Sequence, residues 1–153
     1  MTNILSTTVT EYDPPQRLRR LPSWLASQVA ATAQRLVGEA LAQEGMRRQH
    51  FSVLSSLAEQ GPASQAELGR RLWIDRSDLH AIVGELEDRG LIARVRDHTD
   101  RRRNVVTLTR TGRAALKRLE QKVQAAQTAL LDPLSAAERR EFVRLLERLV
   151  ARD

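Results

Sequence analysis

The spacing of the apolar residues changes twice along the chain, first close to Gly90 and again at Thr109. Up to Leu86 they recur every three or four residues, which is the period of one face of a helix. In residues 91–96 and 105–108 apolar and polar residues alternate instead, which is the period of a strand. The polar segment between these stretches fits a hairpin loop. Helical spacing returns after Thr109, so the sequence predicts helices, one β-hairpin and further helices.

Local signals mark the ends of the predicted helices. Gly45 and Gly90 each follow a helical stretch and fit the Schellman ending, while Gly61-Pro62 and Pro133 interrupt two others. The apolar pairs that the two Schellman endings would bring together are Leu41 with Met46 and Leu86 with Leu91. The predicted N-terminal caps are Ser64 with Glu67, Asp75 with Asp78, Thr109, and Ser135 with Glu138.

The order of the central elements is helix, helix, helix, strand, basic loop and strand, which is a winged helix-turn-helix in outline. We expect a mainly α fold with a small β-hairpin wing, in which residues 47–112 form the DNA-binding lobe. Residues 23–46 and 113–153 form a helical dimerisation region that flanks it, within one integrated domain. Residues 1–22 contain three prolines and little periodicity, so we expect an irregular arm there.

The composition excludes several classes of function. Cysteine is absent from the 153 residues, which rules out disulfides, thiolate nucleophiles and cysteine-ligated zinc. Aromatic residues make up 3% of the chain, which argues against a base-stacking platform. The net charge of +6 and the isoelectric point near 11.0 permit binding to nucleic acid without requiring it.

Nothing in the sequence indicates an enzyme, a cofactor or a metal site. The three histidines, at positions 50, 80 and 98, have no partner at metal-ligand spacing, and there is no nucleophile triad or phosphate-binding loop. No apolar run approaches the ~20 residues of a membrane span, and the N-terminus has no signal-peptide core. We therefore expect a cytoplasmic protein that does not enter the membrane.

The predicted helix that begins at Arg76 has an unusual outward face. Opposite its apolar stripe lie Ser77, Ala81 and Gly84, with His80 at the flank. Small side chains let a helix approach base edges in the DNA major groove, and a glycine in mid-helix costs about 1 kcal/mol against alanine. Packing against another helix would explain the same face equally well. The basic hairpin that follows favours DNA.

The predicted hairpin loop carries most of the local positive charge. Residues 94–103 contain five arginines against two aspartates, and such a tip can enter a minor groove or follow phosphates. A solvated charged turn is the more common fate of an isolated loop of this kind. Asp100 fits a DNA-facing tip if it orients Arg102 through a bidentate pair. The candidate wing contacts are Arg94, Arg96, Asp100, Arg101, Arg102 and Arg103.

Asp78 lies near the start of the predicted recognition helix, where an acidic residue opposes phosphate. It can cap the helix together with Asp75, or accept a hydrogen bond from a cytosine amino group; we favour the cap. Arg76 would restore the attraction for phosphate. The candidate contacts of this helix are Arg76, Ser77, Asp78, His80 and Ala81, and those of the preceding helix N-terminus with the DNA backbone are Ser64 and Gln65.

Two further groups of residues lie outside these DNA contacts. Trp24, His50 and Trp73 are candidates for the wall of an effector pocket, although tryptophan is more often a packing residue and His50 fits the edge of the core. Apolar stripes near both ends of the chain fold back or pair with a second subunit. The candidate dimerisation residues are Leu25, Val29, Leu130, Leu145, Leu146 and Leu149.

The motifs of the hairpin resemble those of the MarR family of transcriptional regulators. The family's wing signature, D-x-R followed by L-T and an early helical glycine, is present as Asp100, Arg102, Leu108, Thr109 and Gly112. The segments 75–77 and 86–92 are similar to the family's recognition helix and its exit. The resemblance covers roughly residues 23–150.

This resemblance implies a homodimer in which terminal helices pair the subunits and each subunit presents one winged helix-turn-helix. It places Arg102 in the minor groove, with Asp100 holding it, and Ser77 at the major groove. It also implies a phenolic or anionic small-molecule effector between the dimerisation helices and the DNA lobe. Asp78 and Ala81 depart from the residues that the family uses most often, which bears on the operator sequence.

We therefore expect a dimeric, ligand-responsive regulator that binds double-stranded DNA at a pseudo-palindromic operator, more often as a repressor. One alternative is a non-specific architectural DNA-binding protein, whose affinity would hardly depend on sequence. The other is a winged-helix adaptor that binds an acidic protein partner and no DNA.

Overall fold

In residues 13–151, the part of the chain that this computed structural model describes, helices are interrupted by one hairpin of two strands. The predicted order of helices, hairpin and helices is confirmed. The elements are α1 (Gln16–Arg19), α2 (Pro22–Ala42), α3 (Arg48–Gln60), α4 (Gln65–Leu72), α5 (Arg76–Asp88), β1 (Ile92–Arg96), β2 (Asn104–Leu108), α6 (Arg110–Leu130) and α7 (Ala136–Val150). None of these helices is long and apolar enough to cross a bilayer.

The expected irregular arm contains a short helix. The turn α1 follows Pro15, whose carbonyl accepts the amide of Leu18 at 2.9 Å, and α2 already begins at Pro22. The expectation of irregular structure is therefore wrong for residues 16–19, because a proline with its fixed φ favours the first turn of a helix as readily as it breaks a later one. Residues 13–15, 20 and 21 lie outside any helix, as expected, and residues 1–12 lie outside the described residues.

The contacts divide the chain inside α2. One compact unit runs up to Thr32, and the other begins at Ala33 and contains all the later elements. The core of this larger unit is aliphatic, as the low aromatic content requires, and its completely buried side chains belong to α2, α3, α4, α5, α6 and the hairpin. The largest of them are Leu41, Leu54, Leu68, Leu79, Leu86, Ile92 and Leu119.

Both predicted Schellman endings are confirmed. At the end of α2 the Met46 amide donates to the Leu41 carbonyl at 3.0 Å, and Gly45 has a φ of +65°. At the end of α5 the Leu91 amide donates to the Leu86 carbonyl at the same distance of 3.0 Å, and Gly90 has a φ of +68°. Because Gly90 turns the chain sharply, the recognition helix is followed at once by the first strand of the hairpin.

The hairpin pairs its two strands in antiparallel register from Ile92 with Leu108 to Arg96 with Asn104. A second contact, which the sequence did not reveal, joins β2 to the segment before α4. Ala63 exchanges both backbone hydrogen bonds with Val106, at 3.1 and 2.8 Å. The wing is therefore fixed to the start of α4 by its backbone.

The start of α6 locks against the start of β1. The Thr109 side chain caps α6 by accepting the Gly112 amide at 2.9 Å, and it donates to the Gly90 carbonyl at 2.7 Å. A Cβ on Gly112 would lie 1.9 Å from the carbonyl oxygen of Leu91. The glycine of the wing signature is thus required by close backbone packing.

Arg89, at the end of α5, forms hydrogen bonds with the turn that follows α2. The guanidinium donates to the carbonyls of Gly45 at 2.8 Å and Glu44 at 3.0 Å, and both carbonyls belong to the last turn of the Schellman ending. Cations favour the C-terminal end of a helix dipole. These hydrogen bonds therefore fix the end of α5 to the turn after α2, and Arg89 and Gly45 are 44 positions apart in the sequence.

Candidate nucleic-acid interface

The outward face of α5 is not covered by any other part of the described chain. Leu79, Ile82, Val83 and Leu86 are buried on the inner side, whereas Ser77 and Ala81 are exposed. A Cβ on Gly84 would meet nothing within 4 Å. Packing of this face against another helix, the alternative that the sequence left open, does not occur within residues 13–151.

The N-terminal end of α5 is capped by Asp75. Its Oδ1 accepts the amides of Ser77 and Asp78, both at 2.9 Å, and the Ser77 hydroxyl at 2.7 Å. The hydrogen bonds from Asp78 and Ser77 lower the pKa of Asp75. The Ser77 side chain therefore points its hydroxyl hydrogen at the cap and leaves its oxygen lone pairs outward as acceptors.

Asp78 was expected to complete the cap by accepting the Asp75 amide. Within the described residues this hydrogen bond does not form. In α4 and α7, by contrast, Glu67 and Glu138 reach back to the amides of Ser64 and Ser135 at 2.7 and 2.8 Å. Asp78 has one methylene fewer than glutamate and lies beside the Asp75 carboxylate instead. The hydrogen bond and the repulsion between the two carboxyl groups raise the pKa of Asp78.

A cleft of about 1370 Å³ lies between α4 and the N-terminal half of α5. Gln65 lines it from α4 and His80 from α5, and the cationic side chains of Arg70 and Arg76 lie on its two sides. The Ser64 hydroxyl is used within its own capping box, where it donates to Glu67 at 2.9 Å. Of the two residues predicted at this helix N-terminus, Gln65 thus lies in the cleft and Ser64 serves as the cap.

The tip of the wing is held by two aspartates through backbone amides. Asp97 accepts the Thr99 amide at 2.9 Å, and Asp100 accepts the Arg102 amide at 3.0 Å. The predicted pairing of Asp100 with the guanidinium of Arg102 is absent from the described residues, and that prediction is wrong for the free protein. A short aspartate side chain readily bonds the amide two residues further on. Asp100 therefore shapes the turn and leaves the Arg102 side chain outward.

The arginines of the wing fall into two groups. Arg94 pairs with Glu87 of α5, and Arg103 pairs with Glu67 of α4, each at 3.3 Å. Hydrogen bonds from Ser64, with a smaller contribution from Arg103, lower the pKa of Glu67 to about 2. These two arginines bind the wing to the helices.

The remaining wing arginines are Arg96, Arg101 and Arg102. All three are exposed, and within residues 13–151 none of them makes an ion pair. They stand on the same hairpin that follows α5 directly. The lobe therefore presents an uncovered helix face of small residues beside three unpaired guanidinium groups, which is the combination that fits adjacent grooves of a duplex.

Comparison with known proteins identifies the family. The family model for the MarR family matches residues 44–103. The repressor Rv2887 of Mycobacterium tuberculosis is 35% identical over 126 residues, which cover 82% of this chain and 91% of the relative. The chain belongs to the MarR family. Its fold class and its type, a winged-helix transcriptional regulator, follow from that membership.

Solved structures agree with this assignment to the MarR family. A probable transcriptional regulator from Pseudomonas aeruginosa is 32% identical with a TM-score of 0.76, covering 87% of this chain and 99% of its own. Rv2887 has been solved in complex with DNA, at 33% identity and a TM-score of 0.72, covering 90% of this chain and 98% of its own. It has also been solved with p-aminosalicylic acid, at 34% identity and a TM-score of 0.70, covering 86% and 99%.

The three residues predicted for an effector pocket have different surroundings in this MarR-family chain. Trp24 is half-buried in the unit that ends at Thr32, and Trp73 is 95% exposed in the loop between α4 and α5. His50 is buried against α5. Neither His50 nor Trp73 lines the cleft between α4 and α5, and the assignment of the three residues to an effector pocket stays a prediction.

His50 is a structural link between α3 and α5 that sequence reasoning missed. Its Nδ1 accepts the Arg47 amide at 3.1 Å, so the hydrogen of the neutral ring is on Nε2, which donates to Glu85 at 2.8 Å. Arg47 also donates to Glu85, at 2.6 Å. Burial lowers the pKa of His50 although the hydrogen bond to Glu85 opposes the shift. No local signal marks a contact between residues 35 positions apart.

Proposed function

We propose that the protein is a homodimeric repressor that binds a pseudo-palindromic operator in the cytoplasm and is released from it by a small aromatic or anionic effector. The observation that carries the DNA-binding part is the lobe itself, where the open face of α5 adjoins the unpaired arginines of the wing. The DNA complex of the related Rv2887 supports the same use of the fold.

The exposed apolar residues support a homodimer. Large apolar side chains are exposed mainly in two stretches of the described chain, residues 18–29 and 143–150. Leu25 and Val29 belong to the first stretch and Leu145, Leu146 and Leu149 to the second, while Leu130 is half-buried at the end of α6. Within the described residues no side chain of helix α7 is fully buried. A second subunit would cover these surfaces, and a two-fold pair matches a palindromic site.

The response to an effector rests on relatives. Rv2887, a repressor, has been solved with p-aminosalicylic acid, which is an aromatic carboxylate. We infer that a ligand of this class binds better to a form of the dimer whose two recognition helices do not match the operator. Such a ligand would shift the population away from the DNA-binding form and release the operator.

The DNA-binding part is tested first by the wing. A duplex chosen by selection of bound sites from random DNA serves as the operator in a gel-shift assay. We expect Arg102→Ala to weaken binding at least tenfold, because the side chain that would enter the minor groove is lost. It should also reduce the slope of log K against log salt concentration by up to about 0.9, the value for one phosphate contact.

The matched control is Arg48→Ala, which removes an exposed arginine from the start of α3 that makes no ion pair in the described residues. This variant should bind as the wild type does. Equal affinity of Arg102→Ala and wild type, with an unchanged circular dichroism spectrum, would contradict the role of the wing. If the wild type binds operator and random duplex with equal affinity, the result favours a non-specific architectural protein. If it shows no salt-dependent binding to DNA, the result favours the protein-binding adaptor.

A further inference from the structure

Trp73 combines an exposed side chain with a backbone conformation that is unusual for a bulky residue. It is 95% exposed, and its φ of 54° places it in the left-handed region. Bulky side chains rarely adopt this conformation, which glycine adopts without strain. The backbone of Trp73 ends α4, where its amide donates to the Gly69 carbonyl, whereas its exposed indole adds no packing to the fold. Strained residues of this kind commonly mark functional positions.

The position of Trp73 relates it to the DNA-binding surface. It ends α4 and stands two residues before Asp75, the cap of α5. Residues on both sides of it in the sequence, Arg70 before and Arg76 after, line the cleft between the two helices. The loop that carries the indole therefore joins the two helices at the end of the cleft where cationic side chains lie.

The distribution of exposed apolar residues separates Trp73 from the dimerisation surfaces. Outside residues 18–29 and 143–150, the large apolar side chains that are exposed in the described chain are Trp73 and Val95, and both belong to the DNA-binding lobe. An exposed indole offers a wide apolar face and one N–H donor with no acceptor function. Sugar rings and phosphate oxygens at a groove edge supply the complementary surface.

We propose that Trp73 contacts DNA. The indole packs on the sugar–phosphate backbone at the edge of the groove that α5 enters, and its Nε1–H donates to a phosphate oxygen. This inference rests on the proposed function and adds to it a contact that is independent of base sequence. Arg70 and Arg76, which flank the loop in the sequence, both line the cleft between α4 and α5, and their charges favour a polyanion over an apolar protein partner.

The first test uses fluorescence. The chain has two tryptophans, so in a Trp24→Phe background Trp73 is the sole tryptophan emitter. Adding the selected operator duplex should shield this emission from acrylamide. A random duplex should shield it too, at the higher concentrations where it binds, because the contact is to the backbone. The inference is thus tested even if the protein proves not to discriminate between sequences.

The second test uses Trp73→Gly in the same background. Glycine relieves the left-handed strain, so the thermal midpoint should stay the same or rise, and loss of folding cannot explain an effect. We expect at least tenfold weaker binding of the operator with an unchanged salt slope, because no charge is removed. The Arg102→Ala variant, which removes a charge, should lower that slope.

An indole that remains open to acrylamide in the complex, together with wild-type affinity of Trp73→Gly, would overturn the inference. It would leave the proposed function intact and assign Trp73 to a protein partner. Failure of the wild type to prefer its operator would overturn the sequence-specific part of the proposed function, and the random-duplex measurement would still decide the role of Trp73.

Discussion

Gly112 and Gly84 both lie within helices of the DNA-binding lobe, for different physical reasons. Gly112 leaves room for the carbonyl of Leu91, which a Cβ would approach to 1.9 Å. Gly84 has open space around it and no partner within the described chain. The first glycine is therefore required by the fold, whereas the second weakens its helix and is not required by any contact within the described chain.

Opposite effects on stability should follow from placing alanine at these two positions. Gly112→Ala should lower the free energy of unfolding by about 3 kcal/mol or more, because the clash is with backbone that cannot rotate away. Gly84→Ala should raise it by about 1 kcal/mol. Urea unfolding at a fixed protomer concentration measures both. A Gly112→Ala variant as stable as the wild type would contradict the close packing of α6 on β1.

A large side chain at position 84 tests the function of the open face. Gly84→Leu should fold, since nothing lies within 4 Å of the added Cβ, but it should bind the operator at least tenfold more weakly by holding α5 away from the base edges. Glu120→Leu, at an exposed position of α6, is the matched control for an added apolar side chain. Operator binding by Gly84→Leu at wild-type strength would show that this face does not enter a groove.

Asp100 shows where prediction from single residues fails. Its proximity to Arg102 was correctly expected, but the contact is with the amide and not with the guanidinium. Both contacts are compatible with a spacing of two residues, and the conformation of the turn decides between them. The exposure and the left-handed φ of Trp73 could not be predicted from the sequence either, because this φ depends on how α4 and α5 are joined.

Helix ends, in contrast, could be predicted well because their signals are local. The caps at Ser64, Asp75, Thr109 and Ser135 all accept an amide two or three residues ahead, as expected. The contacts that hold elements to one another, such as Ala63 with Val106 or Arg103 with Glu67, join residues distant in sequence. They depend on the packed arrangement, so the sequence predicts the elements and not how they are fixed together.

The link between α3 and α5 through His50 predicts a pH dependence of stability. His50 has a folded-state pKa below its usual value of 6.5, so the unfolded chain binds the proton more tightly. Its contribution is complete above pH 6.5 and is lost as the pH falls through the lowered folded-state pKa. The charged groups that face it are Glu85, Arg47 and Arg89.

We therefore expect the free energy of unfolding to fall as the pH falls below 6.5, and this part of the fall to disappear in His50→Gln, whose side chain does not titrate in this range. Chemical denaturation at several pH values measures the slope. His80→Gln, which alters an exposed histidine of α5, is the control and should retain the slope. A His50→Gln variant with the wild-type slope would contradict the assignment.

For the molecule as a whole, the proposed pairing of two subunits would give the terminal helices their function. Helix α7 has no buried side chain, and Leu149 and Val150 are 59% and 83% exposed. Such a surface is stable in water only when another surface covers it. The same pairing would set the distance between the two recognition helices, so recognition of the operator would depend on assembly of the dimer.

Charged residues on α7 should separate the subunits without unfolding them. The double variant Leu145→Glu, Leu149→Glu should sediment as a monomer at concentrations where the wild type is a dimer, and it should lose most of its operator affinity. Glu147→Lys, on the opposite side of the same helix, is the control and should remain a dimer. A monomeric wild type, or a double variant that still pairs, would contradict this assignment of α7.

Hydroxyl-radical footprinting of the selected operator tests the central claim most directly, since it reports on both subunits at once. The proposed dimer predicts two protected segments on one face of the duplex, related by the operator's two-fold symmetry, with centres about one helical turn or 34 Å apart. Each segment should lose its minor-groove protection in Arg102→Ala. A single protected segment, or uniform protection along any duplex, would contradict the account.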